Sequence, residues 1–138
     1  METKAKKYEF LEHTADIKLK LYGSTLQEIF ENSISAVAEY MSEGKKISPS
    51  KGKVIDVSGD DEKSLLLNFI DELLYLVDAE NFIALKGSVL LRGNNLHAEL
   101  FGDSTQKHNL KHIKAATFAE MLIKKEKSGW IAQLVLDV

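Results

Sequence analysis

The sequence predicts an α+β domain, in which two helices pack on one side of a mostly antiparallel β-sheet. In two stretches, residues 26–41 and 65–77, apolar residues recur every three or four positions, as on the buried face of an amphipathic helix. Much of the remaining chain alternates apolar and polar residues, which is typical of half-buried strands. Four such runs follow one another after residue 81, and runs of strands beside helices indicate the α+β class.

The first half of the chain supplies two strands and the first helix. The strands are predicted at residues 8–12 and 17–22, where alternation has a period of two. Ser24 and Gln27 have the spacing of a capping box, in which side chains satisfy the backbone at the beginning of a helix. This helix is predicted to end near residues 42–44, where the sequence reaches Gly44.

The second half begins with a short strand at residues 54–57 and a second helix. Acidic residues at 60–62 fall in the first turn of that helix, where negative charge interacts favourably with the helix dipole. Gly93 and Asn94 separate two strand-like runs and predict a hairpin. The four final strands are predicted at residues 82–91, 96–101, 113–125 and 130–137.

Composition and length limit the kind of protein. A chain of 138 residues with 44% hydrophobic and 28% charged residues is expected to form one soluble domain over residues 1–138. The absence of cysteine excludes disulfides and thiol catalysis, and a net charge of −3 argues against nucleic-acid binding through overall charge. Because the sequence contains neither a signal peptide nor a long apolar run, we expect a cytoplasmic protein without a membrane segment.

Acidic residues lie in or beside the predicted strands at the two ends of the chain. Glu12, His13 and Asp16 lie near the N-terminus, and the chain ends on Asp137 and Val138. Carboxylates are hard oxygen donors, so the two ends would form a calcium, manganese or magnesium site if their strands pair. The alternative interpretation is structural: the first aspartate caps a turn and the last one is merely terminal.

Two further observations concern function. The sequence contains no glycine-rich phosphate loop, no Gly-x-Ser-x-Gly and no His-Glu-x-x-His motif. Its predicted loops carry lysines that would suit RNA or an acidic partner, namely Lys45, Lys46, Lys107 and Lys111.

Several segments together resemble the archease family. They are residues 10–17 (Phe-Leu-Glu-His-Thr-Ala-Asp-Ile), the helix at 68–76, Lys-Ala-Ala-Thr at 114–117 and the C-terminal residues 129–138. Archeases are small partner proteins of the RtcB-type RNA ligase in tRNA splicing and RNA repair. The resemblance implies a protein cofactor, not an enzyme, that promotes guanylylation and multiple turnover of the ligase and meets RNA indirectly, through that ligase.

The resemblance also implies which residues act. It places a divalent-metal site on Asp16, Asp137 and Val138, a lysine needed for activation at Lys114, and supporting roles on Glu12 and His13. His108, which follows Lys107, resembles the basic–histidine pair of the family, although its spacing to Lys114 differs. One alternative is an RNA-binding adaptor or chaperone acting on tRNA or on RNA-modifying enzymes. Another, ranked below it, is a metal-dependent hydrolase.

Overall fold

The computed structural model describes residues 6–12 and 16–138, apart from the side chain of Glu12. It contains a short 3-10 turn at Thr105–Lys107 and nine regular elements. In chain order these are β1 (Tyr8–Glu12), β2 (Asp16–Gly23), α1 (Leu26–Ser42), β3 (Lys51–Ser58), α2 (Glu62–Glu80), β4 (Phe82–Arg92), β5 (Asn95–Ser104), β6 (Ala115–Glu126) and β7 (Gly129–Asp137).

The strands confirm the predicted α+β class and its antiparallel pairing, and they divide between two sheets. The larger sheet has the order β1-β2-β7-β6, and the smaller one has the order β3-β5-β4. α1 packs on β2 and β4, and α2 packs on β6, β4 and β3, so each helix contacts both sheets. Among the described residues, the helices and both sheets contribute to a shared hydrophobic cluster.

The helix–helix contact lies deep in this cluster. Phe30 of α1 and Phe69 of α2 are fully buried, with ring centroids 5.9 Å apart in an edge-to-face arrangement. Burial of a side chain of this size contributes about 2–3 kcal/mol relative to leaving it in water. The apolar faces that the periodicity predicts on the two helices therefore contact each other.

The helix N-termini are capped by side chains close to the predicted positions. The N-cap of α1 is Thr25, one residue later than the predicted Ser24: Thr25 Oγ1 accepts from Glu28 N at 3.1 Å, and the Glu28 carboxylate accepts from the N–H of Ser24, the residue before the cap, at 3.0 Å. At α2, Asp61 accepts from Ser64 N at 2.8 Å, and this hydrogen bond holds the pKa of Asp61 below its usual range. Capping therefore accounts for an aspartate of the acidic cluster.

None of the helices in the described part of the chain is long and apolar enough to cross a membrane. Two connections link the sheets: one runs from β2 through α1 to β3, and the other runs from β5 to β6. We call the second connection, residues 105–114, the strap. The strap ends at Lys114, whose backbone N–H donates to Asp137 O at the end of the larger sheet.

Candidate functional site

Asp16 and Asp137 meet at one end of the larger sheet. β2 and β7 pair antiparallel, and Asp16 lies directly opposite Asp137 in their register. On the other side of β7, Ala115 of β6 lies opposite the same aspartate. Directly opposed residues have Cβ atoms about 4.5–5.5 Å apart. The predicted convergence of the two chain ends is confirmed.

Both carboxylates lie on the outward face of the sheet. Ile17 and Leu136, their inward-facing neighbours, are 5% and 0% exposed, whereas Asp16 is half-buried and Asp137 is exposed. The alternation follows from the period of two in a strand. Solvent, an ion or a partner protein can therefore approach the pair.

The pair is electrostatically suited to a cation. Two like charges directly opposite one another in a sheet repel, and in the described part of the chain neither Asp16 nor Asp137 forms an ion pair. A hard divalent ion with oxygen ligands would replace that repulsion by attraction. No group of three or more His, Cys, Asp or Glu side chains with metal-site geometry occurs among the described residues, which include neither His13 nor the side chain of Glu12.

The structure places the other predicted site residues as follows. Lys114 is at the site: its backbone N–H donates to Asp137 O at 2.8 Å, and its side chain is exposed. Val138 directly follows the aspartate and packs partly against the core. The backbone of Glu12 lies opposite Ile17, one register step from Asp16, but its side chain lies outside the described atoms. His13 lies outside the described residues.

Asp71 of α2 also contributes to the site, although the sequence predicts it on the solvent side of the helix. Its Oδ1 accepts from Ala116 N at 3.0 Å, across the interface between α2 and the edge strand β6. This bond and the one from Lys114 hold the beginning of β6 from two directions. Residue spacing along α2 carries no signal for such a bond, because it depends on how the helix packs against a strand 45 residues away.

We expect Asp71→Ala to destabilise the protein by about 1–3 kcal/mol, since it leaves a partly buried N–H without its acceptor. Asp71→Asn keeps an oxygen at the same position and is expected to cost less. Urea unfolding measures the stability, and amide hydrogen exchange reports on Ala116 itself. Equal exchange protection of Ala116 in the wild type and Asp71→Ala would show that the bond does not hold this strand.

A buried carboxylate, Asp103, anchors the start of the strap. Asp103 is 4% exposed, and its oxygens lie 3.0 Å from His108 Nε2, 2.8 Å from Ser50 Oγ and 2.8 Å from Ser104 N. The hydrogen bonds from His108, Ser50 and Ser104, in that order, hold the pKa of Asp103 well below its ordinary value. His108 therefore fixes the strap and does not reach the Asp16–Asp137 pair in this structure.

The Asp103 network predicts a specific pH dependence. A carboxylate with a lowered folded-state pKa adds stability above its unfolded-state pKa, 3.8, and loses it as the pH falls through the folded value. We expect Asp103→Asn to have a clearly lower melting temperature than the wild type at neutral pH, by several degrees. The gap should narrow as the pH is lowered below about 4. Thermal unfolding across this range tests it, and a gap that stays constant in acid would contradict it.

The fold and the site define a small two-sheet α+β protein with a carboxylate pair at one end of its larger sheet. The model of the archease protein family matches residues 8–138, and the chain belongs to this family. It is 40% identical to protein archease of Pyrobaculum neutrophilum, with 95% of each chain covered, and 36% identical to protein archease of Methanosarcina barkeri over the whole of both chains.

Solved structures agree with the fold. The solution structure of a Methanobacterium thermoautotrophicum protein superposes with a TM-score of 0.73 at 27% identity, covering 95% of this chain and 98% of the other. The crystal structure of a Thermotoga maritima protein, described as an archease and a possible chaperone, gives a TM-score of 0.69 over the whole of both chains. At 16% identity this second match supports the fold alone.

Proposed function

We propose that this protein is a cofactor of an RtcB-type RNA ligase, promoting guanylylation of the ligase and its repeated turnover in tRNA splicing and RNA repair. Membership of the archease family supports the proposal. The observation that carries it is the direct cross-strand pairing of Asp16 and Asp137 on an outward face, with Lys114 bonded to the same strand end. An ion or a partner protein can reach the side chains of such a site from solvent.

In this proposal each site residue has a separate role. Asp16 and Asp137, with an oxygen of Val138, hold a calcium, manganese or magnesium ion, and their outward position lets them approach the active-site mouth of the ligase. The bound ion supplies positive charge that phosphate oxygens can coordinate. The Lys114 side chain adds a positive charge that can bind phosphate beside the carboxylates. The hydrogen bond from its backbone N–H to Asp137 O holds the residue at the end of β7. Glu12 and His13 are assigned supporting roles.

The RNA-binding alternative rests on the lysines of the loops. Two of these four already have partners within the protein: Lys107 Nζ lies 3.5 Å from Asp103 Oδ1, and Lys111 Nζ lies 4.9 Å from the centroid of the Tyr40 ring. Their charges are thereby partly engaged, which favours the ligase proposal over the adaptor. RNA affinity that falls steeply with salt would favour the adaptor instead.

The test is RNA ligation by the cognate ligase in limiting amount, with GTP and manganese, in the presence and absence of this protein. We expect the protein to raise product from a single turnover to many, and Lys114→Ala to remove most of this gain. The matched control is Lys46→Ala, an exposed lysine in the loop after α1. Unchanged product with a demonstrably active ligase would overturn the proposal, and a larger loss for Lys46→Ala than for Lys114→Ala would favour the adaptor.

A further inference from the structure

The edge strand β6 is interrupted by a large bulge close to the carboxylate pair. Thr117 pairs with Val135 and Leu122 pairs with Gln133, so residues 118–121 lie opposite Leu134 alone. Within the bulge, Glu120 has φ 52°, a left-handed conformation that costs a residue other than glycine about 1–2 kcal/mol. Bulges and strained residues of this kind concentrate at functional sites, where they redirect side chains.

The strained residue is held by two partners. Lys18 Nζ donates to Glu120 Oε1 at 3.0 Å, and Gln133 Nε2 donates to Glu120 O at 2.9 Å. Lys18 is two residues from Asp16 in β2, and Gln133 is four residues from Asp137 in β7, so both lie on the outward face of the sheet. The bulge thus folds over the face that carries the carboxylates.

This arrangement presents an aromatic side chain to solvent. Phe118 opens the bulge and is 56% exposed. Leu11 of β1, opposite Lys18, is 37% exposed. The cross-strand row that contains Leu11, Lys18, Val135 and Thr117 is the next row on this face after that of Asp16 and Asp137.

The position of these apolar side chains is selective. Of the large apolar side chains that are exposed in the described part of the chain, Leu11 and Phe118 are those of the larger sheet. Leu11 lies in the row next to the carboxylates, and Phe118 directly follows Thr117 of that same row. The others lie on the smaller sheet or on α2: Val54, Tyr75, Leu90 and Phe101. We call Leu11, Phe118, Asp16 and Asp137 together the tip patch.

We propose that the tip patch is the docking surface for the ligase, with Phe118 as its apolar anchor. This inference rests on the proposed function and adds to it the residues that bind the partner. An exposed aromatic beside charged groups, in a bulge that two hydrogen bonds hold in place, has the composition of an interface hot spot. The matching ligase surface would have an apolar pocket for Phe118, beside a basic or metal-bearing site that faces the two carboxylates.

The charges of the patch favour such a partner over a second copy of this chain. In a twofold contact the same patch meets itself, so in the metal-free protein two carboxylate pairs would be brought together. Like charges brought together across an interface cost several kcal/mol. A positively charged active-site mouth gives the opposite sign and would also attract the metal-free patch over distance.

We expect Phe118→Ala to raise the Kd of the complex with the ligase by about tenfold or more. Leu11→Ala should have a smaller effect, because less area is removed. The measurement is calorimetric titration of the ligase with the full-length protein. Because Phe118 is exposed, its removal should leave the melting temperature nearly unchanged, and metal binding by the isolated protein should also be unaffected.

The matched control is Phe101→Ala, because this phenylalanine is 43% exposed on the smaller sheet, away from the patch. Its Kd should stay within about twofold of the wild type. Equal Kd values for Phe118→Ala and the wild type, or an equal loss for both phenylalanine variants, would overturn the inference while leaving the proposed function intact. A wild-type protein that neither binds nor activates the ligase overturns both, and a patch-dependent homodimer in sedimentation overturns the choice of partner.

Discussion

Replacing both aspartates of the pair with asparagine, Asp16→Asn with Asp137→Asn, is expected to lower affinity for a divalent ion by about a hundredfold or more. The affinity of oxygen sites depends strongly on the number of charged ligands, and this change removes both carboxylates of the pair. Activation of the ligase should fall with it. Calorimetric titration with calcium, manganese and magnesium measures the affinity, and also shows which ion the wild type prefers.

The same variant has a stability signature that separates lost charge from lost folding. Without metal, removal of two opposed negative charges should stabilise the variant by about 0.2–1 kcal/mol relative to the wild type. With excess metal the order should reverse, since only the wild type gains stability by binding. Melting temperatures with and without metal show both effects in one experiment.

Asp78→Asn is the control for the carboxylate variant, since Asp78 is exposed near the end of α2. It changes the same functional group without touching the pair, so its metal affinity should match the wild type. If the double variant also binds metal like the wild type, the structural interpretation of the pair, a turn cap and a terminal residue, is the correct one. The metal site would then have to lie elsewhere.

The parts of this fold that were predictable from sequence are those fixed by local periodicity. Both helices lie where the three-to-four spacing predicts them, and α2 begins at the acidic cluster that was predicted for its first turn, with Asp61 as its N-cap. The alternation in β7 correctly places Asp137 on the same face as Val135 and Gln133. The alternation of the strand and the residue type were therefore sufficient to place Asp137 at the end of the sheet.

The division into two sheets was not predictable in this way. Alternation shows which side of a strand is buried but not which strand is its neighbour. In this chain β2 pairs with β7, more than 100 residues later, while β3 to β5 form the other sheet. Only the acidic ends and the family resemblance pointed to the first of these pairings.

The polar residues that were missed share one property, which is that their partners are distant or irregular. Asp71 reaches the backbone of an edge strand, and Asp103 lies beyond the predicted end of its strand at residue 101, although β5 extends to Ser104. Glu120 is held only because a bulge interrupts a strand whose alternation is weak. Sequence reasoning assigned these carboxylates no role, because their hydrogen bonds arise from tertiary packing.

Gly102 is the glycine at which an added side chain would have the least space. It lies in the central strand of the smaller sheet, pairs with Lys51 on one side and Ala84 on the other, and directly precedes Asp103. A Cβ atom at this position would overlap Ile83 O and would lie 2.8 Å from Ile83 C and 2.9 Å from Ala84 Cα. These are backbone atoms next to the β4 bulge at 84–86, so rotation of a side chain cannot relieve the overlap.

Gly102→Ala is therefore expected to destabilise the protein by about 3 kcal/mol or more, the upper range for overpacking a core. Because the altered strand leads into Asp103 and the strap, ligase activation by the folded fraction should also fall. Gly52→Ala is the control on the adjacent strand: its Cβ would meet Leu100 O at an ordinary 3.7 Å, so its stability should stay within about 1 kcal/mol of the wild type. Urea unfolding of the two variants under one set of conditions gives the comparison. Similar midpoints for both would mean that β4 shifts at little cost, and that close packing at Gly102 does not hold the start of the strap in place.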